Sequence, residues 1–259
     1  MQTAEDYLRL IGDWSDPNPD PVVEEHEGIF VVRDDLLGYG SKIRSLDYLI
    51  GHDVFSKHVR EFVFGGCPAT GYAQISLPHV CSRYDKRAVL FMAKRSKDKL
   101  HPYQRKALEL GADIRWVPNG MLTVTKARAR EYAAASSRER RLLPLGLEDP
   151  TVIACTIRVA RTLDIQPDEV WSVGSSGTLS RSLQLAFPRA RVHVVSVGHT
   201  MKPHEYGRAT LHRSSLRFDQ AVKPEDAPPF PSVPTYDAKA WKFVREHASP
   251  GSLFWNVGA

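Results

Sequence analysis

The segment Gly174-Ser175-Ser176-Gly177-Thr178 has the residue types in this 259-residue sequence that are best suited to bind an anion. The β-branched residues before it predict a strand, and the apolar spacing after it predicts a helix. Small residues let the backbone come close to a ligand, while N–H groups at the helix start and the hydroxyls supply donors. The segment therefore predicts a phosphate site, with a tight strand-to-helix turn that binds no ligand as the alternative.

Lys42 is the second residue that could do chemistry. It follows the glycine turn Leu37-Gly38-Tyr39-Gly40, and Ser41 before it is of a type that caps helices. Apolar residues recur after it at helical spacing, at Ile43, Leu46, Leu49 and Ile50. This spacing predicts that Lys42 lies in the first turn of a helix. A lysine at a helix start is commonly a surface residue, so Lys42 gains significance only beside the predicted phosphate site.

Other phosphate, nucleophile and metal motifs do not fit the sequence. The chain contains no Gly-Lys pair and therefore no Walker A loop. Gly38-x-Gly40 lacks the third glycine of a dinucleotide-binding turn, and Gly174–Gly177 is one residue short of a serine-hydrolase elbow. His199 and His204 lack the further ligands that a metal ion needs, so we expect a surface pair and no metal site.

The elements around these residues alternate between strands and helices. Strands are predicted at 29–33, 62–64, 88–92, 113–117, 169–173, 191–197 and 253–255. Helices are predicted at 41–50, 72–82, 103–110, 150–163, 179–187 and 236–247. The first 25 residues, 138–150 and the proline-rich 223–234 are expected to be irregular. This alternation indicates an α/β protein of two βαβ lobes with parallel sheets. We predict a discontinuous larger domain, 1–50 with 140–259, and a smaller α/β domain, 51–139.

Composition narrows the class of protein. The chain is 42% hydrophobic and 25% charged, which is typical of a globular protein with a core. It has no run of about 20 apolar residues, and its acidic N-terminus is unlike a signal peptide, so we expect a cytoplasmic protein. The widely spaced Cys67, Cys81 and Cys155 argue against disulfides and structural zinc. The net charge of +5, with basic clusters at 94–99 and 126–141, favours a polyanionic partner, although such clusters are usually solvated helix faces.

Four segments together resemble fold-type II pyridoxal 5′-phosphate (PLP) enzymes, most closely the aminocyclopropane-carboxylate deaminase and D-cysteine desulfhydrase branch. Residues 32–46 are similar to the segment that carries the cofactor lysine, which in that branch reads Arg-Asp-Asp-Leu, a glycine turn and Asn-Lys-x-Arg-Lys-Leu. Gly65–Ala73 resembles the loop that clasps the substrate carboxylate and the cofactor ring. Gly174–Thr178 resembles the phosphate cup, and Phe254–Ala259 the strand that approaches the pyridine nitrogen. The segments occur in family order and span nearly the whole chain.

The resemblance implies a role for each candidate residue and a homodimeric PLP enzyme. Lys42 would hold PLP as a Schiff base and move protons at the α-carbon of the substrate. Asn256 would lie near the pyridine nitrogen, and Thr70 and Gly71 would contact the substrate carboxylate or the ring. Tyr39 would stack near the cofactor, with a core position as the alternative. The phosphate would be bound by Gly174, Ser175, Ser176, Gly177 and Thr178.

Two positions depart from the family pattern. Ala69 or Thr70 stands where the family has an asparagine or glutamine beside the ring hydroxyl, and Asn256 stands where it has a threonine or serine.

PLP stabilises the carbanion left when a bond at the α-carbon breaks. Loss of the α-proton leads to elimination or deamination, whereas loss of the carboxylate is decarboxylation. The sequence does not decide between these outcomes, because the choice depends on geometry.

Short, basic relatives of this kind occur in bacterial viruses that elaborate thymine bases in their DNA. The missing ring-side amide and the basic clusters suit an enlarged site that is open to a polyanion. We therefore expect a PLP-dependent lyase. The most specific form of this prediction is a decarboxylase, in the host cytoplasm, of an amino acid attached to a thymine base in phage DNA. The alternatives are a deaminase or β-eliminating lyase of a free amino acid, and a non-catalytic phosphate-binding relative. A phosphoribosyltransferase would need an acidic pair before Gly174, which is absent.

Overall fold

The computed structural model describes residues 2–198 and 200–259. The chain divides into two compact units. The first unit contains the chain up to Ser45 together with Glu148–Ala259, and the second unit is Leu46–Leu147. The sequence predicts domain boundaries near residues 50 and 140, whereas the boundaries between the two units follow Ser45 and Leu147. The division of function between the units stays a prediction.

Strands and helices alternate along most of the chain. The strands are β1 (Val23–His26), β2 (Ile29–Arg33), β3 (Glu61–Gly65), β4 (Arg87–Ala93), β5 (Asp113–Val117), β6 (Arg140–Leu142), β7 (Glu169–Gly174), β8 (Arg191–Ser196), β9 (Thr210–Arg213) and β10 (Leu253–Asn256). The α-helices are α1 (Ala4–Leu8), α2 (Lys42–Asp47), α3 (Ala73–Arg83), α4 (Pro102–Glu109), α5 (Leu122–Ala134), α6 (Pro150–Ala160), α7 (Thr178–Ala186), α8 (Pro203–Tyr206) and α9 (Ala238–His247). Every predicted strand and helix forms, and the α/β fold class is confirmed.

The first unit contains a six-stranded sheet in the order β1-β2-β10-β7-β8-β9. All neighbours are parallel except β1, which pairs antiparallel with β2. β10 is the last strand in the sequence, yet it lies in the middle of the sheet between β2 and β7. The second unit contains a four-stranded parallel sheet in the order β5-β4-β3-β6.

The core of the first unit covers both faces of its central strands. β7 is buried along its whole length, as expected for a parallel strand with packing on both faces. Trp171, Trp241 and Trp255 are almost completely buried, which confirms their prediction as core residues. No helix in the described part of the chain has both the length and the apolar character needed to cross a membrane.

The prediction of an irregular first 25 residues is wrong in part. Thr3 caps α1 in a capping box: the N–H of Asp6 donates to the Thr3 hydroxyl at 3.2 Å, and the N–H of Thr3 donates to the Asp6 carboxylate at 2.9 Å. β1 then joins the sheet through β2. Both elements are too short for a periodic pattern to show, so the many prolines dominated the sequence signal.

The prediction of a connector at 138–150 is also wrong in part, because β6 lies within it. β6 pairs with β3 in the sheet of the second unit. Its two arginines hid the strand in the sequence, since charged residues are unusual in a parallel sheet. The structure explains them: Arg140 donates to Glu61 at 2.8 Å, and Arg141 pairs with Asp53.

Candidate active site

Three neighbouring strands of the first unit end at the same edge of the sheet. β2, β10 and β7 are parallel and lie side by side. The chain continues from β2 to Lys42 and from β7 into the Gly174–Thr178 turn. Ligands of open parallel sheets bind outside the carboxyl ends of the strands. The topology therefore brings the predicted lysine and phosphate segments to one edge, on either side of β10.

Lys42 begins α2 directly after the glycine turn. Gly38 and Gly40 each have a φ of 71°, in the left-handed region that favours glycine. The backbone N–H of Ser41 donates to the carbonyl of Val257 at 3.0 Å, which ties the turn to the residue after β10. The prediction that Lys42 lies in the first turn of a helix is confirmed. Tyr39 in the same turn is half-buried, and its contact with a cofactor stays a prediction.

A buried ion pair fixes the backbone before and after Lys42. The carboxylate of Asp34 is fully buried and accepts two hydrogen bonds from Arg44, at 3.0 and 2.8 Å, and one from the indole N–H of Trp255 at 2.9 Å. Arg44 also donates to Asp16 at 2.5 Å. A buried pair is favourable only when its hydrogen bonds are complete, as they are for Asp34. Because Asp34 precedes Lys42 and Arg44 follows it, the pair holds the lysine segment against β10.

Asn256 is at the centre of a second buried network. Its amide nitrogen donates to Asp35 at 2.8 Å and to the carbonyl of Pro231 at 2.9 Å, and its oxygen accepts from Ser232 at 2.9 Å. Asp35 accepts two further bonds from Arg33, at 2.9 and 2.8 Å. Protein partners thus use both N–H groups of Asn256. These bonds tie β10 to the segment after β2, and the place of Asn256 near a pyridine nitrogen stays a prediction.

The Gly174–Thr178 turn has the geometry of an anion-binding turn. β7 ends at Gly174, and Gly177 precedes α7 with a φ of 75°. The first N–H groups of a helix have no acceptor within the helix, and the positive end of its dipole lies there too. The hydroxyls of Ser176 and Thr178 lie 3.2 Å apart at the same point. N–H and O–H donors therefore converge on this turn.

Tyr236, which the sequence analysis missed as a site residue, contacts this turn. The side chain and the backbone of Ser175 lie close enough to its phenol oxygen to favour the ionised form. Burial raises the pKa of Tyr236 to about 12, with the neighbouring Asp237 acting in the same direction and the bonds from Ser175 opposing it. Tyr236 is therefore a neutral phenol that touches the predicted phosphate site.

Asp237, also missed, lies within electrostatic reach of Lys42. Its carboxyl is fully buried, and neither oxygen has a hydrogen-bond partner of normal geometry among the described residues. Burial raises the pKa of Asp237 well above its ordinary range, while the nearby N–H of Val257 and the positive charge of Lys42 act in the opposite direction. An unpaired buried carboxyl costs stability, and such groups cluster at functional sites.

The sequence carries no signal that singles out Asp237. An aspartate at the start of a predicted helix is ordinarily interpreted as a cap. Asp237 does occupy the position before α9, but its side chain makes no capping hydrogen bond. Tyr236 and Asp237 together connect the turn at Ser175 with the segment of Lys42.

Thr70 and Gly71 belong to the second unit, in the loop between β3 and α3. Gln74 is fully buried and donates to the carbonyls of Ala69 at 2.6 Å and Gly71 at 2.8 Å. The N–H of Gly71 donates to the carbonyl of Pro68 at 2.9 Å. Gln74 thus fixes the backbone of the loop from inside. The substrate contacts of Thr70 and Gly71 stay predictions.

Two histidines of the first unit form a pair. Nδ1 of His193 lies 3.0 Å from Nε2 of His212, and the His193 ring stacks on Trp171 with ring centres 4.2 Å apart. Burial lowers the pKa of both histidines. Within residues 2–198 and 200–259, no three or more His, Cys, Asp or Glu side chains are arranged to hold a metal ion. His199, considered with His204 above, lies outside the described residues.

Comparison with known proteins identifies the fold. No protein-family model matches the chain. A glycyl-dTMP PLP-dependent decarboxylase of Pseudomonas phage M6 is 23% identical, over 74% of this chain and 81% of that protein. The crystal structure of an ACC deaminase homologue has a TM-score of 0.78 at 17% identity, covering 97% of this chain and 94% of that one. Threonine deaminase isoform 2 from Solanum lycopersicum has a TM-score of 0.66 at 14% identity, covering 99% and 84%.

The chain has the fold of the fold-type II PLP enzymes. This finding confirms the fold that the four sequence segments implied.

Proposed function

We propose that this protein is a PLP-dependent lyase that removes the carboxyl group of an amino acid attached to a thymine base in phage DNA. The observation that carries the proposal is the meeting of Lys42 and the Gly174–Thr178 turn at one sheet edge, connected by Tyr236 and Asp237. The choice of decarboxylation is supported by the phage relative, which is named as a decarboxylase of glycyl-dTMP.

The residues at this edge fit the functional groups of PLP. The phosphate suits the N–H and O–H donors of the Gly174–Thr178 turn, and the aldehyde suits the amine of Lys42. The ring nitrogen suits the carboxyl of Asp237. Asp237 gives the most specific fit, because its buried oxygens lack hydrogen-bond partners of normal geometry among the described residues. A buried polar group of this kind is stabilised when a polar ligand pairs with it.

Each residue then has a distinct task. When bound, PLP supplies an electron-withdrawing ring that stabilises the carbanion left at the α-carbon as a bond breaks. Lys42 would hold the cofactor through its amine and would deliver a proton to the α-carbon from which the carboxylate leaves as CO2. Asp237 would keep a proton at the ring nitrogen, which would keep the ring electron-withdrawing. The Asp34–Arg44 pair fixes the backbone before and after Lys42. This would keep the amine of Lys42 positioned toward the α-carbon.

A second candidate function is the deamination or β-elimination of a free amino acid. It is favoured by the structural similarity to an ACC deaminase homologue and to a threonine deaminase. The two functions differ in the bond that breaks and hence in the products. Decarboxylation releases CO2 and leaves the nitrogen on the substrate, whereas deamination releases ammonia.

The products of the PLP-loaded protein test the proposal. DNA that carries glycyl-modified thymines is expected to lose one CO2 per adduct, because the carboxylate is the group that leaves. Mass spectrometry of the digested nucleosides measures this change, and a carboxyl-labelled glycyl group reports the released CO2. The Lys42→Ala protein is the control without turnover. Ammonia released from D-cysteine or serine, with every adduct unchanged, would contradict decarboxylation and support the second candidate.

Replacing Asp237 by asparagine is expected to lower turnover by about 10²- to 10³-fold, the usual cost of losing one preorganised electrostatic partner. Asparagine keeps the shape of the side chain but has no carboxyl group that can share a proton with the ring nitrogen. Steady-state rates measure the loss, and thermal unfolding confirms the fold. Asp219→Asn is the matched control, since Asp219 is 78% exposed in the same unit. Full activity of the Asp237→Asn protein would remove Asp237 from the site and return the role to Asn256.

A further inference from the structure

The segment after β4 carries an exposed cluster of positive charge, which we call the cationic loop (residues 94–99). Lys94, Arg95, Lys97 and Lys99 are all exposed. None of the four forms an ion pair within the described part of the chain. Asp98 is the one carboxylate in the loop. The loop therefore presents a net positive surface to solvent.

Many other cations of the second unit are neutralised by carboxylates of the same unit. These ion pairs are Arg83–Asp47 at 2.8 Å, Arg87–Glu61 at 2.5 Å, Arg128–Glu131 at 2.8 Å, Arg140–Glu61 at 2.8 Å and Arg141–Asp53. Three of the six cations in the sequence cluster at 126–141 are thus paired, namely Arg128, Arg140 and Arg141. The cationic loop differs from it, because all four of its charges stay available to an external anion.

The cationic loop leaves the same edge of the sheet as the loop of Thr70 and Gly71. β3 and β4 are parallel neighbours, with Gly65 opposite Phe91 near their carboxyl ends. Backbone hydrogen bonds fix the loop, from the N–H of Lys94 to the carbonyl of Val117 at 2.9 Å and from Lys99 to Ser96 at 3.0 Å. A charged surface thus lies beside the loop that is predicted to contact the substrate.

An aromatic pair joins the start of α3, after the loop of Thr70 and Gly71, to the start of α4, after the cationic loop. The hydroxyl of Tyr103 donates to that of Tyr72 at 3.2 Å, and the ring centres are 5.1 Å apart. His101 packs edge-on against Tyr103 at 4.9 Å, and burial and then the nearby charge of Arg95 lower the pKa of His101. Cations next to aromatic rings are a common combination on nucleic-acid-binding surfaces.

We propose that the cationic loop binds the phosphate backbone of the DNA strand that carries the substrate base. The inference rests on the proposed function, since it assigns the surface that holds the polymer during the reaction. A free nucleotide offers one phosphate group, whereas four cations along a fixed loop match a series of phosphates. Contacts to phosphates carry no sequence information and are strongly weakened by salt.

The test measures binding of the PLP-loaded protein to a fluorescent DNA duplex without modified bases, by anisotropy over a range of salt concentrations. The variant changes Lys94, Arg95, Lys97 and Lys99 to glutamine. Each lost phosphate contact removes about 0.9 from the slope of log affinity against log salt. The variant slope is therefore expected to be shallower by roughly three to four, with binding at least about 10-fold weaker at low salt.

A matched control removes the same charge elsewhere, through Lys57→Gln, Arg189→Gln, Lys223→Gln and Lys242→Gln, which are all at exposed positions. This control is expected to keep most of the affinity. The inference is overturned if the parent protein does not bind DNA, if both variants lose affinity equally, or if thymidine monophosphate competes as well as DNA at equal phosphate concentration. The assay involves no turnover, so its failure is distinguishable from a failure of the decarboxylation test.

Discussion

Replacing Lys42 by alanine is expected to abolish covalent attachment of PLP and to lower turnover by at least about 10²- to 10⁴-fold, the range for a lost acid–base group. The amine is the one group of the Lys42 segment that can bond to the cofactor aldehyde. Borohydride reduction followed by peptide mapping should find the cofactor on Lys42 in the parent protein and nowhere in the variant. The visible absorption band of the bound cofactor should change accordingly.

Two further variants separate the amine from the charge. Lys42→Arg keeps a positive charge beside Asp237 but is not a useful nucleophile, because the guanidinium stays protonated. We expect it to be as inactive as Lys42→Ala. Lys242→Ala removes an exposed lysine on α9 and should behave as the parent. Parent-like labelling and turnover in the Lys42→Ala protein would disprove the assignment of Lys42.

Replacing Gly177 by alanine is expected to weaken PLP binding by more than about 10-fold and to lower the thermal unfolding midpoint by on the order of 10 °C. Gly177 has a φ of 75°, and a Cβ atom there would lie 1.7 Å from the carbonyl oxygen of Glu205. The left-handed conformation costs alanine about 1–3 kcal/mol. Relief of the overlap costs a similar amount, because the clash is with backbone and the turn must move.

Gly251→Ala is the control for the conformational part of this effect. Gly251 has a φ of 82°, but a Cβ atom there would meet nothing within 4 Å. We expect a small loss of stability and unchanged cofactor binding. Cofactor titration followed by visible absorption, together with thermal unfolding, measures both variants. If Gly177→Ala and Gly251→Ala behave alike, the contact with Glu205 does not shape the phosphate turn.

The elements that position the candidate site could be predicted from local sequence patterns. Lys42 at the start of a helix followed from the glycine turn and the apolar spacing after it. The turn at Gly174–Thr178 followed from a buried strand before it and an amphipathic helix after it. Both signals are local, because periodicity and turn chemistry depend on residues near in sequence.

The residues that were missed depend on contacts distant in sequence. Asp237 has no local mark, and its significance comes from complete burial beside Lys42. β6 was not predicted because arginines such as Arg140 and Arg141 are typical of solvent-exposed positions. Their partners, Glu61 and Asp53, are distant in sequence and meet them only in the folded chain. Asn256 was assigned from the family pattern, whereas its bonds to Asp35, Pro231 and Ser232 appear only in the folded chain.

The central position of β10 has a consequence for the order in which the protein forms during synthesis. The second unit is one continuous stretch and can fold as soon as it leaves the ribosome, since domains generally fold as units. β2 and β7 cannot be joined at once, because the strand between them follows both in the sequence. The nascent chain therefore acquires the bond from Ser41 to Val257, and with it a positioned Lys42, only after β10 has left the ribosome.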